Sequence, residues 1–317
     1  MVFADPMSLI KMKTKYLIAI ILLFCLLAGL ALLNNRVSSP RSQQQKITVV
    51  ASFYPLYYFS ERIGGDKADV HNLTPAGAEP HDYELTAQDI VLIESGNLLV
   101  LNGGNLEVWG DSIKKSLIPT QTVLVVAGEG LANQLIAEGN ENIIDPHVWL
   151  SPPLAEGMVD KILGGFQASD PANTSYYAAN AEALKEDLKN LNTDYLTGLK
   201  DCALKDVITS HASFGYLASA YGLRQISIAG LSPDAEPSPK EIGAIAEFAK
   251  ESGVKYIFFE SLVSPKLSET IATEVGAKTL ILNPLEGLTT ADISAGKNYF
   301  TEMKNNLNNL KIALECQ

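Results

Sequence analysis

Three histidines and a carboxylate stand in four short motifs strung along most of this chain. His81 lies in Glu79-Pro80-His81-Asp82-Tyr83-Glu84, and His147 in Asp145-Pro146-His147-Val148-Trp149. His211 lies in Thr209-Ser210-His211-Ala212-Ser213-Phe214-Gly215-Tyr216, and Glu286 in Asn283-Pro284-Leu285-Glu286-Gly287. Three of the four histidines in the chain fall in these motifs. Neutral imidazoles with one carboxylate make a borderline-soft tetrahedral set that suits Zn2+. Groups so far apart in sequence cannot form a local zinc finger. They must grip an ion between distant parts of the fold, which points to capture and release.

The elements that would position them follow from the pattern around them. Asp206–Ser210 reads as a strand ending just before His211, and Thr279–Leu282 as a strand ending shortly before Glu286. Ligands of open α/β sheets gather outside the carboxyl ends of the strands. His81 and His147 sit in loops whose prolines restrict the backbone. The expectation is a cleft with two ligands from each wall. His71 has no such context and reads as a surface or structural residue, and Trp109 and Trp149 read as core or cleft-wall aromatics.

The remaining chain alternates short β-branched runs with helical stretches, the pattern of parallel sheets covered by helices. Strands are predicted at Ile47–Ala51, Val70–Leu73, Leu98–Leu101, Thr122–Val126, Gln225–Ile228 and Lys255–Glu260. Helices are predicted at 55–63, 86–95, 153–166, 212–221, 239–251 and 265–275, with a last one over 292–314. Asp170-Pro171 opens a longer helical pattern running to about Lys200, roughly 45 Å at 1.5 Å per residue. We expect an α/β fold of two lobes joined by this one long rigid helix. The expected boundaries are 1–45 for a leader and linker, 46–169 for the first lobe, 170–200 for the connecting helix and 201–317 for the second lobe.

Composition narrows the function. Hydrophobic residues make up 47 % and charged residues 19 % of 317, which indicates a folded globular chain. Leu17–Leu33 is a run of 17 residues without a charge, preceded by Lys11, Lys13 and Lys15. That is an export signal or a retained membrane anchor, followed by a polar linker over 34–45. Beyond residue 33 the chain holds 21 basic and 35 acidic residues, a net of −14. Such a surface argues against nucleic acid, whose binding rests on Lys and Arg. Cys25 lies inside the apolar run, and Phe24 before it is bulky for a lipidation site. Cys202 and Cys316 are expected to pair in an oxidising compartment, closing a loop of 114 residues.

The motifs quoted above, with Gly230-Leu231-Ser232-Pro233 and Asp170-Pro171-Ala172-Asn173, resemble those of the zinc-uptake solute-binding proteins of bacterial ABC importers. The resemblance covers roughly residues 46 to 317 and keeps the motif order. It implies a TroA-like fold and metal binding by His81, His147 and His211, with a carboxylate in the last strand-end loop. Asn283 stands where some relatives carry Asp, so the fourth ligand is Glu286, with Asn283 or water as alternatives. Residues 103 to 146 contain no His, unlike the His-rich loop of many zinc members. The retained His211 favours zinc over manganese, whose binders tend to place a harder carboxylate there. The resemblance further implies an extracytoplasmic receptor, periplasmic or at the cell surface, a monomer that hands Zn2+ to an ABC permease in the membrane. The alternatives are a manganese or iron receptor on the same cleft and a secreted zinc hydrolase. Against the hydrolase, the chain has no His-Glu-x-x-His arrangement.

Overall fold

Runs such as Ile47-Thr48-Val49-Val50-Ala51 are apolar on both faces, which suits strands covered on both sides. A computed structural model describes residues 17, 20–29, 46–117, 122–138, 141–233 and 237–317. Residues 46–317 form one compact unit, distinct from residues 1–45.

Four strands, β1 (Ile47–Ala51), β2 (Ala68–Asn72), β3 (Leu98–Leu101) and β4 (Val123–Val126), form a sheet in the order β2-β1-β3-β4. All its pairings are parallel. A hairpin of β5 (Leu135–Glu138) and β6 (Glu141–Ile144) follows, antiparallel and outside both larger sheets. A second parallel sheet holds β7 (Asp206–Thr209), β8 (Arg224–Ser227), β9 (Tyr256–Phe259) and β10 (Lys278–Ile281) in the order β10-β9-β7-β8. The expected strands are all present, with ends shifted by a residue or two. The hairpin was not foreseen, because its few residues show no alternation of apolar and polar side chains long enough to read.

Four of the described helices start at a capping box. Thr86 and Asp89 form a capping box at Ala87–Ser95. Ser238 and Glu241 do the same at Pro239–Glu251, with Pro239 at the first position. The connecting helix differs from the expectation. Its α-helical part is Thr174–Gly198, 25 residues, entered through a short 3-10 turn at Pro171–Asn173. The reason is local: the Asp170 carboxylate accepts from Asn173 Nδ2 and from the Tyr177 hydroxyl instead of capping the helix amides. The last expected helix is two, Thr290–Ser294 and Tyr299–Ala313. Gly296 takes a left-handed φ of 76°, and Asn298 then caps a fresh start.

One continuous core runs through both sheets. It takes in Phe53, Phe59 and Phe166 from the first, Tyr177, Leu184, Leu188 and Tyr195 from the connecting helix, and Phe258, Tyr299 and Leu310 from the second. Cys202 and Cys316 are joined by a disulfide. The expected signal or anchor at Leu17–Leu33 and the linker over 34–45 lie largely outside the described residues. Within the described part, 20–29 are helical, 20–28 of them exposed, and Cys25 is a free thiol. No helix among the described residues is long and apolar enough to cross a membrane.

Candidate metal centre

The four singled-out residues lie in the segments that follow β2, β6, β7 and β10, and they meet in one place. One ligand atom from each of His81, His147, His211 and Glu286 lies within 4.8 Å of the others. Glu286 Oε1 is central, 3.0 Å from His147 Nε2 and 3.3 Å from both His81 Nε2 and His211 Nε2. His147, His211 and Glu286 are buried, while the His81 side chain keeps 10 % of its surface exposed and forms the outward wall.

Each of the four side chains is held by the strand end or loop behind it. Past β7, the Thr209 hydroxyl donates to the carbonyl of His211, which also accepts from Gln225 Nε2. Past β6, the backbone amide of His147 donates to Asp145 Oδ1 at 2.9 Å, and the preceding Pro146 carbonyl accepts from Asn102 Nδ2 at 2.9 Å. Asn102 is itself fixed by Glu107, whose carboxylate accepts from the amides of Asn102 and Gly103 at the end of β3. The His81 amide donates to Glu79 Oε1 at 3.4 Å.

Past β10 the chain makes a tight Asx turn. The amide of Leu285 donates to Asn283 Oδ1, while Asn283 exchanges two backbone hydrogen bonds with the side chain of Asn306. Leu285 adopts a left-handed φ of 57° although it is buried and carries a side chain. That conformation costs about 1–2 kcal/mol. Asn283 is therefore engaged in shaping the loop, and Glu286 is the residue whose oxygen reaches the histidines.

Two carboxylates behind the histidines were given no role from the sequence. Asp145 Oδ1 lies 2.7 Å from His147 Nδ1, and Glu260 Oε1 sits against His211 Nδ1 and accepts from the Ser210 hydroxyl. Each fixes the tautomer so that Nε2 presents its lone pair to the centre. Asp145 could have been found from its place two residues before His147, and Glu260 from its place at the end of β9. Glu79, which flanks His81, turns its carboxyl inward, with Oε2 buried and unpartnered. Glu84 is exposed, and His71 lies on β2 beside Asp69, 3.3 Å away. Trp109 packs under the first sheet and Trp149 is fully buried between the lobes.

The electrostatics follow from this packing. Burial opposes a charge on His147, but Asp145 and Glu286 outweigh it and raise its pKa. Burial likewise opposes a charge on His211, and Glu260 and Glu286 raise its pKa well above the usual imidazole range. Burial works against ionised Glu286, yet His211, His147 and His81 hold its pKa well below the carboxylate range. Glu79 is pushed up to about 9 by burial and by the neighbouring Glu286, and so stays neutral. In the metal-free centre the Glu286 carboxylate therefore lies beside His147 and His211, whose charged forms are favoured, and a divalent cation would compete with those protons.

Comparison with known proteins places this arrangement. The family model described as zinc-uptake complex component A, periplasmic, matches residues 49–313. Zinc-binding protein AdcA of Streptococcus pyogenes serotype M6 is 40 % identical over 290 residues, covering 85 % of this chain and 56 % of that protein. The chain thus spans little more than half the length of that relative. The high-affinity zinc uptake system protein ZnuA of Bacillus subtilis is 40 % identical over 295 residues, covering 89 % of this chain and 92 % of that one. The crystal structure of the Zn(II)-bound ZnuA-like domain of Streptococcus pneumoniae AdcA superposes with a TM-score of 0.75 at 38 % identity. It covers 85 % of this chain and 99 % of that domain.

Proposed function

The chain belongs to the family of periplasmic zinc-uptake component A proteins, solute-binding receptors, and from that premise we propose that it captures Zn2+ outside the cytoplasm and delivers it to an ABC permease. His81, His147, His211 and Glu286 are its ligands, with Zn2+ as cargo. The observation that carries this reading is the meeting of four ligand atoms from four separate loops, two of whose histidines are locked by Asp145 and Glu260. Three imidazoles and one carboxylate favour zinc over harder ions such as manganese. Four protein ligands also fill a tetrahedral shell, whereas a hydrolase keeps a position open for water. The protein is therefore a receptor and not an enzyme. On the same reading 46–169 and 201–317 are the two walls of the cleft, 170–200 the connector between them, and the protein works as a monomer held outside the membrane.

The test is metal analysis of protein purified without chelators, followed by competition between Zn2+ and Mn2+. One tightly held zinc per chain, not displaced by excess manganese, is the expected result. Displacement by manganese would make the cleft a manganese receptor. His147→Ala and His211→Ala should each weaken zinc binding by orders of magnitude, and unchanged binding in both would remove the site. Glu286→Gln should weaken it less, since an amide oxygen remains a neutral donor.

A further inference from the structure

We propose that the indole of Trp149 is a positioning residue that clamps the Glu286 loop against His147 and sets how long the ion is held, without touching it. This rests on the four-ligand reading above. Trp149 stands two residues after one ligand, His147, and Pro284 two residues before another, Glu286. The fully buried indole Nε1 donates to the Pro284 carbonyl at 2.8 Å. In return, the hydroxyl of Tyr299, at the start of the last helix, donates to the Trp149 carbonyl at 2.5 Å. The two walls of the cleft thus exchange hydrogen bonds through a single residue. The ring packs against Phe53 at 4.7 Å and against the His147 ring at 5.1 Å between centroids, so it has no freedom to follow a displaced loop.

The loop needs such a clamp. Leu285, between the clamped carbonyl and the ligand, is held left-handed, a conformation that persists only where the surroundings over-determine it. Asn283 anchors the loop from within its own lobe, and Trp149 anchors it from the other. The outcome is that Glu286 Oε1 and His147 Nε2 make the shortest contact among the four ligand atoms, at 3.0 Å. A ligand pair set in place before the ion arrives loses less freedom on binding. Its release then requires the loop to break away as a unit, which is a matter of dissociation rate.

Trp149→Phe keeps an aromatic ring and deletes the N–H. Dissociation of Zn2+ is followed by stopped flow with an excess of chelator, association by rapid mixing, and ligand geometry by the visible absorption of the Co2+ form. Dissociation should quicken about tenfold to a hundredfold with association within about twofold, the scale seen when a group orienting a metal ligand is lost. The Co2+ bands should shift as the carboxylate loses its set position. Tyr299→Phe should give a smaller effect, and the double variant less than the sum of the two. Unchanged dissociation and unchanged Co2+ bands in Trp149→Phe would overturn the proposal. So would a loss of affinity with unaltered bands that merely tracks a lower thermal midpoint of the metal-free protein. His147→Ala separates the two levels: if it too binds normally, the four-ligand reading has failed; if it alone loses zinc, only the clamp has.

Discussion

A ring nitrogen can bind a metal only when its proton is elsewhere, and here Asp145 and Glu260 decide where. Asp145→Asn and Glu260→Gln should each lower zinc affinity about tenfold to a hundredfold, as measured by chelator competition, because the amide no longer commits the ring to one tautomer. The same carboxylates raise the pKa of His147 and His211 in the metal-free protein. A raised pKa means that protons compete with zinc from a higher pH than an ordinary imidazole near 6.5 would allow. Affinity should therefore already be falling as pH drops toward 6.5, by up to roughly a hundredfold per pH unit when two imidazoles must be emptied. Calorimetry in buffers of differing ionisation enthalpy should show protons released on zinc binding near pH 7, and no release would contradict the raised pKa values of His147 and His211. The three histidines were legible because each stands in an aromatic-bearing motif, with a proline directly before His81 and His147. Asp145 lay within one of these motifs unassigned, and Glu260 had only its strand-end position to mark it. Asn283 was the open alternative for the fourth ligand, and sequence could not decide it, since the choice depends on a left-handed Leu285, with the Glu286 side chain turned inward and that of Asn283 held by the Leu285 amide and Glu302.

The elements were legible where short β-branched and aliphatic runs, such as Val207-Ile208-Thr209 and Leu280-Ile281-Leu282, or a capping pair marked them. The strand ends bearing His211 and Glu286 were read nearly in place for that reason. What escaped was decided by contacts beyond the local window. Asp170 reads as a cap but spends its carboxylate on Asn173 and Tyr177. Gly296 interrupts a pattern that is amphipathic on both sides of it. Packing of helix on sheet is equally tight and equally silent in sequence. A Cβ on Gly165, in the helix Pro152–Ser169, would lie 2.5 Å from Val125 Cγ2 and 2.8 Å from Leu98 Cδ1. Gly165→Ala should therefore cost about 1–3 kcal/mol in denaturant unfolding, by overpacking helix against sheet. Zinc affinity should be nearly unchanged, since neither neighbour belongs to the centre. A stabilised variant would show that the helix can lift away freely.

For the whole molecule the question is how much the lobes move. Their shared core, the 25-residue connecting helix and the bonds exchanged through Trp149 all resist hinge closure, which needs a few backbone positions that absorb large dihedral changes. Small-angle scattering of metal-free and zinc forms should show nearly equal radii of gyration, and a change of several per cent would reveal a hinge. The disulfide acts at the same scale. Closing 114 residues, it stabilises by roughly 4–5 kcal/mol on the chain-entropy account. Reduction should lower the thermal midpoint by roughly 10 °C while largely sparing zinc affinity. The bond has a topological meaning as well. The segment it encloses carries both His211 and Glu286. A protease that nicks the backbone once, anywhere between Cys202 and Cys316, would leave two pieces still covalently tied. Outside the cell such a cut would open the chain without discarding a ligand, and the nicked protein should run as one band until a reductant is added.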